Sequence, residues 1–131
     1  MINEFELINR YFNWSLSDPS IELGVGDDAA LFEIDADCQL VTSTDTLSEG
    51  VHFFKDALPV DIAYKSLAVN LSDIAAMGAK AKYFTLSLTL PKLDEIWLQE
   101  FSESLKEASE FFKVSLIGGD TTKGPLNITI T

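Results

Sequence analysis

Residues 59–90, PVDIAYKSLAVNLSDIAAMGAKAKYFTLSLTL, change their hydrophobic period part-way along, and that change decides the fold class. The first part reads as a helix over 59–77. Pro59 sits near its first turn, Asp61 lies near the positive end of the helix dipole, and Gly78 supplies the C-terminal stop. Ser66, Asn70 and Asp73 share one face of that helix, while Leu67, Leu71 and Ile74 occupy another. From residue 81 the period becomes two: Phe84, Leu86, Leu88 and Leu90 alternate with Thr85, Ser87 and Thr89, predicting a strand with one buried face that Pro91 ends.

Working outward, Trp97, Phe101, Leu105, Ala108 and Phe112 recur every three to four positions, which predicts a long helix over 94–112 with these residues in the core. A short strand over 114–117 then ends at Gly118-Gly119, and NITIT at 127–131 alternates like another. Upstream, Phe5, Ile8 and Phe12 place a short amphipathic helix over 3–12, and SLSDPS at 15–20 is turn chemistry. Strands are expected over 29–34 and 39–46, joined by a turn at 35–37, with Cys38 as a small hydrophobe at a strand end. Helices and strands alternate loosely, so the expected class is mixed α/β.

The chain has 131 residues, 47% hydrophobic and 23% charged, enough for one domain with a real core. Nine Lys plus Arg against 21 Asp plus Glu give a net charge of -12, which repels nucleic acid and acidic membrane surfaces. A cation, or an anion arriving with cations, suits this balance. One cysteine cannot form an internal disulfide, and no basic stretch leads into an apolar run at the start, so a cytoplasmic protein is expected. The 127–131 strand stops without a cap or a polar tail, so residues 1–131 are expected to be the first domain of a longer protein.

Four small polar clusters fall at element ends: GVGDD at 24–28, TSTDT at 42–46, the Asn70/Asp73 pair, and GGDTT at 118–122. Each holds an aspartate. A polar stripe such as Ser66-Asn70-Asp73 commonly just faces water, but the company of three more acidic clusters lowers that expectation. Hard divalent cations such as Mg²⁺ take carboxylate, hydroxyl and phosphate oxygens, the atoms that Asp28, Ser43, Thr44, Asp45, Asp73 and Asp120 supply. The glycines leave room for a ligand at the backbone, and Gly118-Gly119-Asp120 could carry a triphosphate by N–H groups and metal bridges together. The chain lacks a G-x-x-x-x-G-K-[ST] loop, and GVGDDA lacks the third glycine of the dinucleotide fingerprint. His52, the one histidine, reads on its own as a partly buried polar residue hydrogen-bonded to backbone. Glu103, Glu107 and Glu110 read as the wet face of their helix.

GVGDDAALF, STDTLSEGVHF, AYKSLAVNLSDIAAMGA and LIGGDTTKGPL, in that order, resemble the N-terminal domain of the thiamine-monophosphate kinases, and the resemblance covers nearly the whole chain. It implies an aminoimidazole ribonucleotide synthetase N-terminal-like domain: a mixed sheet with helices on one face, whose strands form a homodimer interface. It also implies transfer of the γ-phosphoryl group of ATP to thiamine monophosphate, assisted by several Mg²⁺ ions and without a covalent phosphoenzyme or any catalytic side-chain nucleophile. By matching motif positions, Asp28, Ser43, Thr44, Asp45, Asp73 and Asp120 would be metal ligands. Gly119 and Asp120 would touch the nucleotide, and His52 would lie at the thiamine phosphate; Asp27 receives no direct role. Many members have Phe-Tyr where this chain has Phe101-Ser102, so an aromatic nucleotide contact is not carried over there. Further metal, ATP and thiamine contacts would come from a second domain. Two other readings are a sister ATP-using enzyme and a non-catalytic cation-binding dimerisation module. Selenophosphate synthesis is disfavoured because no cysteine lies near STDTLSEGVHF and Cys38 is misplaced for it.

Overall fold

The computed structural model describes residues 1–131. In chain order the elements are α1 (Glu4–Tyr11), β1 (Ile21–Leu23), β2 (Leu31–Phe32), β3 (Asp45–Ser48), α2 (Pro59–Ala76), β4 (Tyr83–Leu90), α3 (Glu95–Phe112), β5 (Ser115–Lys123) and β6 (Asn127–Ile130). The helix ends follow local chemistry. Asn3 and Glu6 form a reciprocal capping box at α1, and Asp94 accepts from the Trp97 N–H at 3.1 Å to start α3. Pro59 opens α2 with Asp61 in its first turn, and Gly78, at φ 69°, turns the chain out after it. None of these helices is long and apolar enough to cross a membrane.

The main sheet has the order β3-β6-β4-β5, with β4 and β5 parallel and the other pairs antiparallel. Phe84, Leu86, Leu88 and Leu90 of β4 are buried on one side, together with Leu116, Ile128 and Ile130. Leu67 of α2 and Leu98, Phe101 and Leu105 of α3 close that same side, so the helices pack on one face, as expected. Trp97 and Phe112 pack partly buried against this core, and Glu103, Glu107 and Glu110 are exposed.

Three expectations are corrected. The strand over 29–34 is reduced to β2, which pairs with β1 in a separate two-stranded sheet. Residues 39–44 are not a strand: β6 pairs with β3 only as far as Asp45 opposite Ile130, and no strand lies beside the preceding stretch to form a ladder with it. Leu40 and Val41 are therefore exposed, and Cys38 is an exposed residue closing the 35–37 turn onto the Asp35 carbonyl rather than a strand-end hydrophobe. The third correction is at Gly118-Gly119, which does not end the strand. β5 runs on to Lys123 beside β4, with Leu86 opposite Gly119 and Ser87 opposite Asp120. Glycine permits this continuation, because Gly119 has φ 155° and a Cβ there would lie 1.8 Å from the Leu86 carbonyl oxygen.

Candidate functional site

The α2 polar stripe is mostly buried. The Ser66 hydroxyl donates to the Ile62 carbonyl at 2.7 Å, and the Asn70 amide donates to the carbonyls of Ser43, at 3.0 Å, and Ile130, at 2.7 Å. Asn70 thus ties the 42–46 cluster and the end of β6 to the helix. Asp73, one turn further on, is exposed, and its carboxylate meets that of Asp45. Partial burial, then the shared hydrogen bond and negative charge of Asp73, push the Asp45 carboxyl above its usual range; His52 pulls weakly the other way. The only ion pair in the chain, Arg10 with Glu95, lies elsewhere, so no lysine or arginine is paired with these carboxylates. Hard oxygen donors crowded together without a counter-charge fit a divalent cation such as Mg²⁺.

Around the pair, Thr44 and Thr131 share a hydroxyl contact at 3.0 Å. His52 is exposed, and its Nδ1 accepts the Ser48 N–H at 2.9 Å, so the neutral ring carries its proton on Nε2, free to donate outward. His52 thus keeps the expected backbone hydrogen bond but is exposed rather than partly buried, which leaves a binding role open to it.

A second group lies around a cavity of about 570 Å³. Gly26, Asp27, Asp28, Gly118, Gly119 and Asp120 line one side of it. Asp27 accepts the Asp28 backbone N–H at 2.9 Å, so its side chain shapes the turn that presents Asp28. Asp28 and Asp120 are brought to this cavity, whereas Asp45, Asp73 and His52 do not line it. No three His, Cys, Asp or Glu side chains of the chain converge closely enough to hold an ion by themselves.

The loop carrying Asp27 and Asp28 is held from below by residues whose role the sequence reading missed. Asp18 accepts from both the backbone N–H and the hydroxyl of Ser20, which hold its carboxyl below the usual range. Because the Ser20 proton goes to Asp18, the Tyr83 hydroxyl donates to Ser20 Oγ, and the Tyr83 ring packs on Phe32 with centroids 4.5 Å apart. The residue before β1 and Phe32 of β2 thus both rest on one side chain of β4. The one available signal was Asp18-Pro19-Ser20, an aspartate placed to bond its own backbone two residues on. Ser102, where the aromatic contact is missing, is buried and donates to the Gln99 carbonyl at 3.1 Å.

The family model for AIR synthase related protein, N-terminal domain, matches residues 26–131. The thiamine-monophosphate kinase of Escherichia coli (strain K12) is 54% identical over 128 residues, covering 97% of this chain and 39% of that protein. Among solved structures, the thiamine-monophosphate kinase from Stenotrophomonas maltophilia K279a superposes with a TM-score of 0.85 at 46% identity, covering 95% of this chain and 39% of that one. A structure described as AaThiL complexed with AMPPCP and TMP gives a TM-score of 0.65 at 36% identity, covering 67% of this chain and 29% of that one. The chain spans about 40% of the length of the curated relatives it matches.

Proposed function

The chain belongs to the AIR synthase related protein family, as its N-terminal domain, and from that premise we propose that it is the metal- and nucleotide-binding part of a thiamine-monophosphate kinase. The complete enzyme would move the γ-phosphoryl group of ATP onto the phosphate of thiamine monophosphate, giving thiamine diphosphate and ADP, in the cytoplasm. The observation that carries this reading is the uncompensated Asp45–Asp73 pair, in a chain whose relatives are named for that activity.

Asp28, Ser43, Thr44, Asp45, Asp73 and Asp120 would hold Mg²⁺. When bound, the ions supply the positive charge that lets two phosphate groups approach in a protein of net charge -12. Gly118 and Gly119 leave the β5 backbone bare, and Gly119 with Asp120 would take the phosphate end of the nucleotide. His52 would donate from Nε2 to the phosphate of thiamine monophosphate and orient it. An oxygen of that phosphate, already ionised and needing no general base, forms the new bond to the γ-phosphorus while the bond to the β–γ bridging oxygen breaks in line.

A homodimer is part of the proposal. Residues 39–44 of the strand expected over 39–46 have no partner strand within the chain, leave Leu40 and Val41 exposed, and lead directly into edge strand β3. Product identification on the full-length protein with thiamine monophosphate, ATP and Mg²⁺ tests the activity. Asp45→Asn should cut thiamine diphosphate formation by on the order of 10²-fold or more with an unchanged circular dichroism spectrum. Turnover of that variant near the wild-type rate would sink the ligand assignment.

A further inference from the structure

The loop between β3 and α2 carries His52, and two bonds close it locally. The Ser48 N–H donates to His52 Nδ1 and the His52 N–H donates to the Ser48 carbonyl, both at 2.9 Å, so the imidazole lies back on the end of β3. A third bond comes from outside the loop: the Lys65 ammonium, on α2, donates to the His52 carbonyl. Phe53, the next residue, packs partly buried against the core, whereas Val51 and Phe54 are exposed. Two anchors, one apolar and one charged, therefore hold a turn whose flanks face solvent.

Lys65 is exposed, and holding a long flexible side chain in one place costs entropy. In a chain with 21 acidic residues it nevertheless forms no ion pair, the Arg10–Glu95 bridge being the one present. Its charge goes instead to a neutral carbonyl, a charge-assisted bond that is stronger than a neutral one and leaves the charge uncancelled. Its place on the helix matters as well. Lys65 joins α2 to His52, Asn70 joins it to the Ser43 and Ile130 carbonyls, and Asp73 meets Asp45. Asp73 follows Lys65 by about 12 Å along the axis of a regular helix. One rigid rod thus sets the spacing between the carboxylate pair and the histidine, in a reaction where a displacement of about 1 Å can cost 10²-fold in rate.

We propose that Lys65 is a positioning residue for phosphoryl transfer: through the His52 carbonyl it fixes the imidazole relative to the Asp45–Asp73 pair, and with it the phosphate of thiamine monophosphate. This rests on the reading above that His52 takes that phosphate. Lys65 itself touches no reactant in this assignment.

Two measurements on the full-length protein test it, steady-state kinetics and the nitrogen NMR signals of the His52 ring, identified by their loss in His52→Gln. Lys65→Met keeps the apolar stem and removes the donor. It should raise KM for thiamine monophosphate about tenfold, the scale of one hydrogen bond from a charged group, and leave KM for ATP unchanged. The neutral ring, held as one tautomer in the wild type by the Ser48 N–H, should become a mixture of two in Lys65→Met, with or without Mg²⁺. Lys65→Arg should restore both readouts. Lys55→Met, which removes an exposed lysine from the same loop, should match the wild type. A raised KM with the tautomer unchanged would mean that Lys65 meets the phosphate directly, and overturns the proposal. So does an unchanged KM for thiamine monophosphate, an equal rise in KM for ATP, or an equal effect of Lys55→Met. A wild-type protein that forms no thiamine diphosphate overturns the kinase reading and the proposal with it, whatever the ring signals show.

Discussion

Asp45 and Asp73 face each other without a cation, so the folded chain carries a repulsion that it could shed by losing one charge. Asp73→Asn replaces one carboxylate oxygen with an N–H₂ that donates to Asp45. In metal-free buffer at neutral pH this should stabilise the chain by about 0.5 kcal/mol, discounting for solvent screening of a partly exposed pair, or about 2–4 °C in Tm. Added Mg²⁺ should reverse the ranking if the proposed site binds it, because only the wild type keeps both proposed ligands; differential scanning with and without Mg²⁺ reads both signs. A variant less stable than the wild type without metal would contradict the repulsion. The acidic element ends were legible in the sequence because each aspartate sits in a small, polar cluster. That Asp45 and Asp73 meet while Asp28 and Asp120 line another wall was not legible, since it depends on how α2 lies across the sheet.

At the scale of elements, the helices and β4 were readable because their hydrophobic periods are local, 3.6 or 2 residues long. Of the strand expected over 39–46, residues 39–44 differ for the converse reason: alternation describes a face, but a strand exists only where a partner strand takes its hydrogen bonds. Gly118-Gly119 misled similarly, since glycine marks a close approach as readily as a stop. The β1–β2 hairpin shows what a distant contact contributes. Its one hydrogen bond to another element of the fold is the Ser20–Tyr83 contact, between residues 63 positions apart. Tyr83→Phe keeps the ring packing on Phe32 and the Ser20–Asp18 turn while removing that tie. Amide hydrogen exchange at residues 24–30 should then quicken several-fold, with β4 and β5 unchanged. Equal exchange in both proteins would show that ring packing alone holds the loop, and faster exchange throughout would point to general destabilisation.

For the molecule as a whole, the net charge of -12 is carried by a chain with nine basic residues, one of which is paired across elements. Self-repulsion of this size is eased by any salt, but a specific site gives more than screening does. Mg²⁺ should therefore raise Tm beyond NaCl of equal ionic strength, by the equivalent of about 2.7 kcal/mol once its concentration reaches a hundred times Kd. Identical effects of the two salts would argue against a specific site. The two layers of the molecule, helices and sheet, also share one polar stitch: the Asn70 amide, which gives its hydrogens to carbonyls on two separate segments. Aspartate there would turn acceptors toward acceptors, serine has one proton to give, and glutamine carries an extra methylene in a buried site. At position 70 the genetic code offers this fold no synonym, so a library of every substitution should return asparagine almost alone.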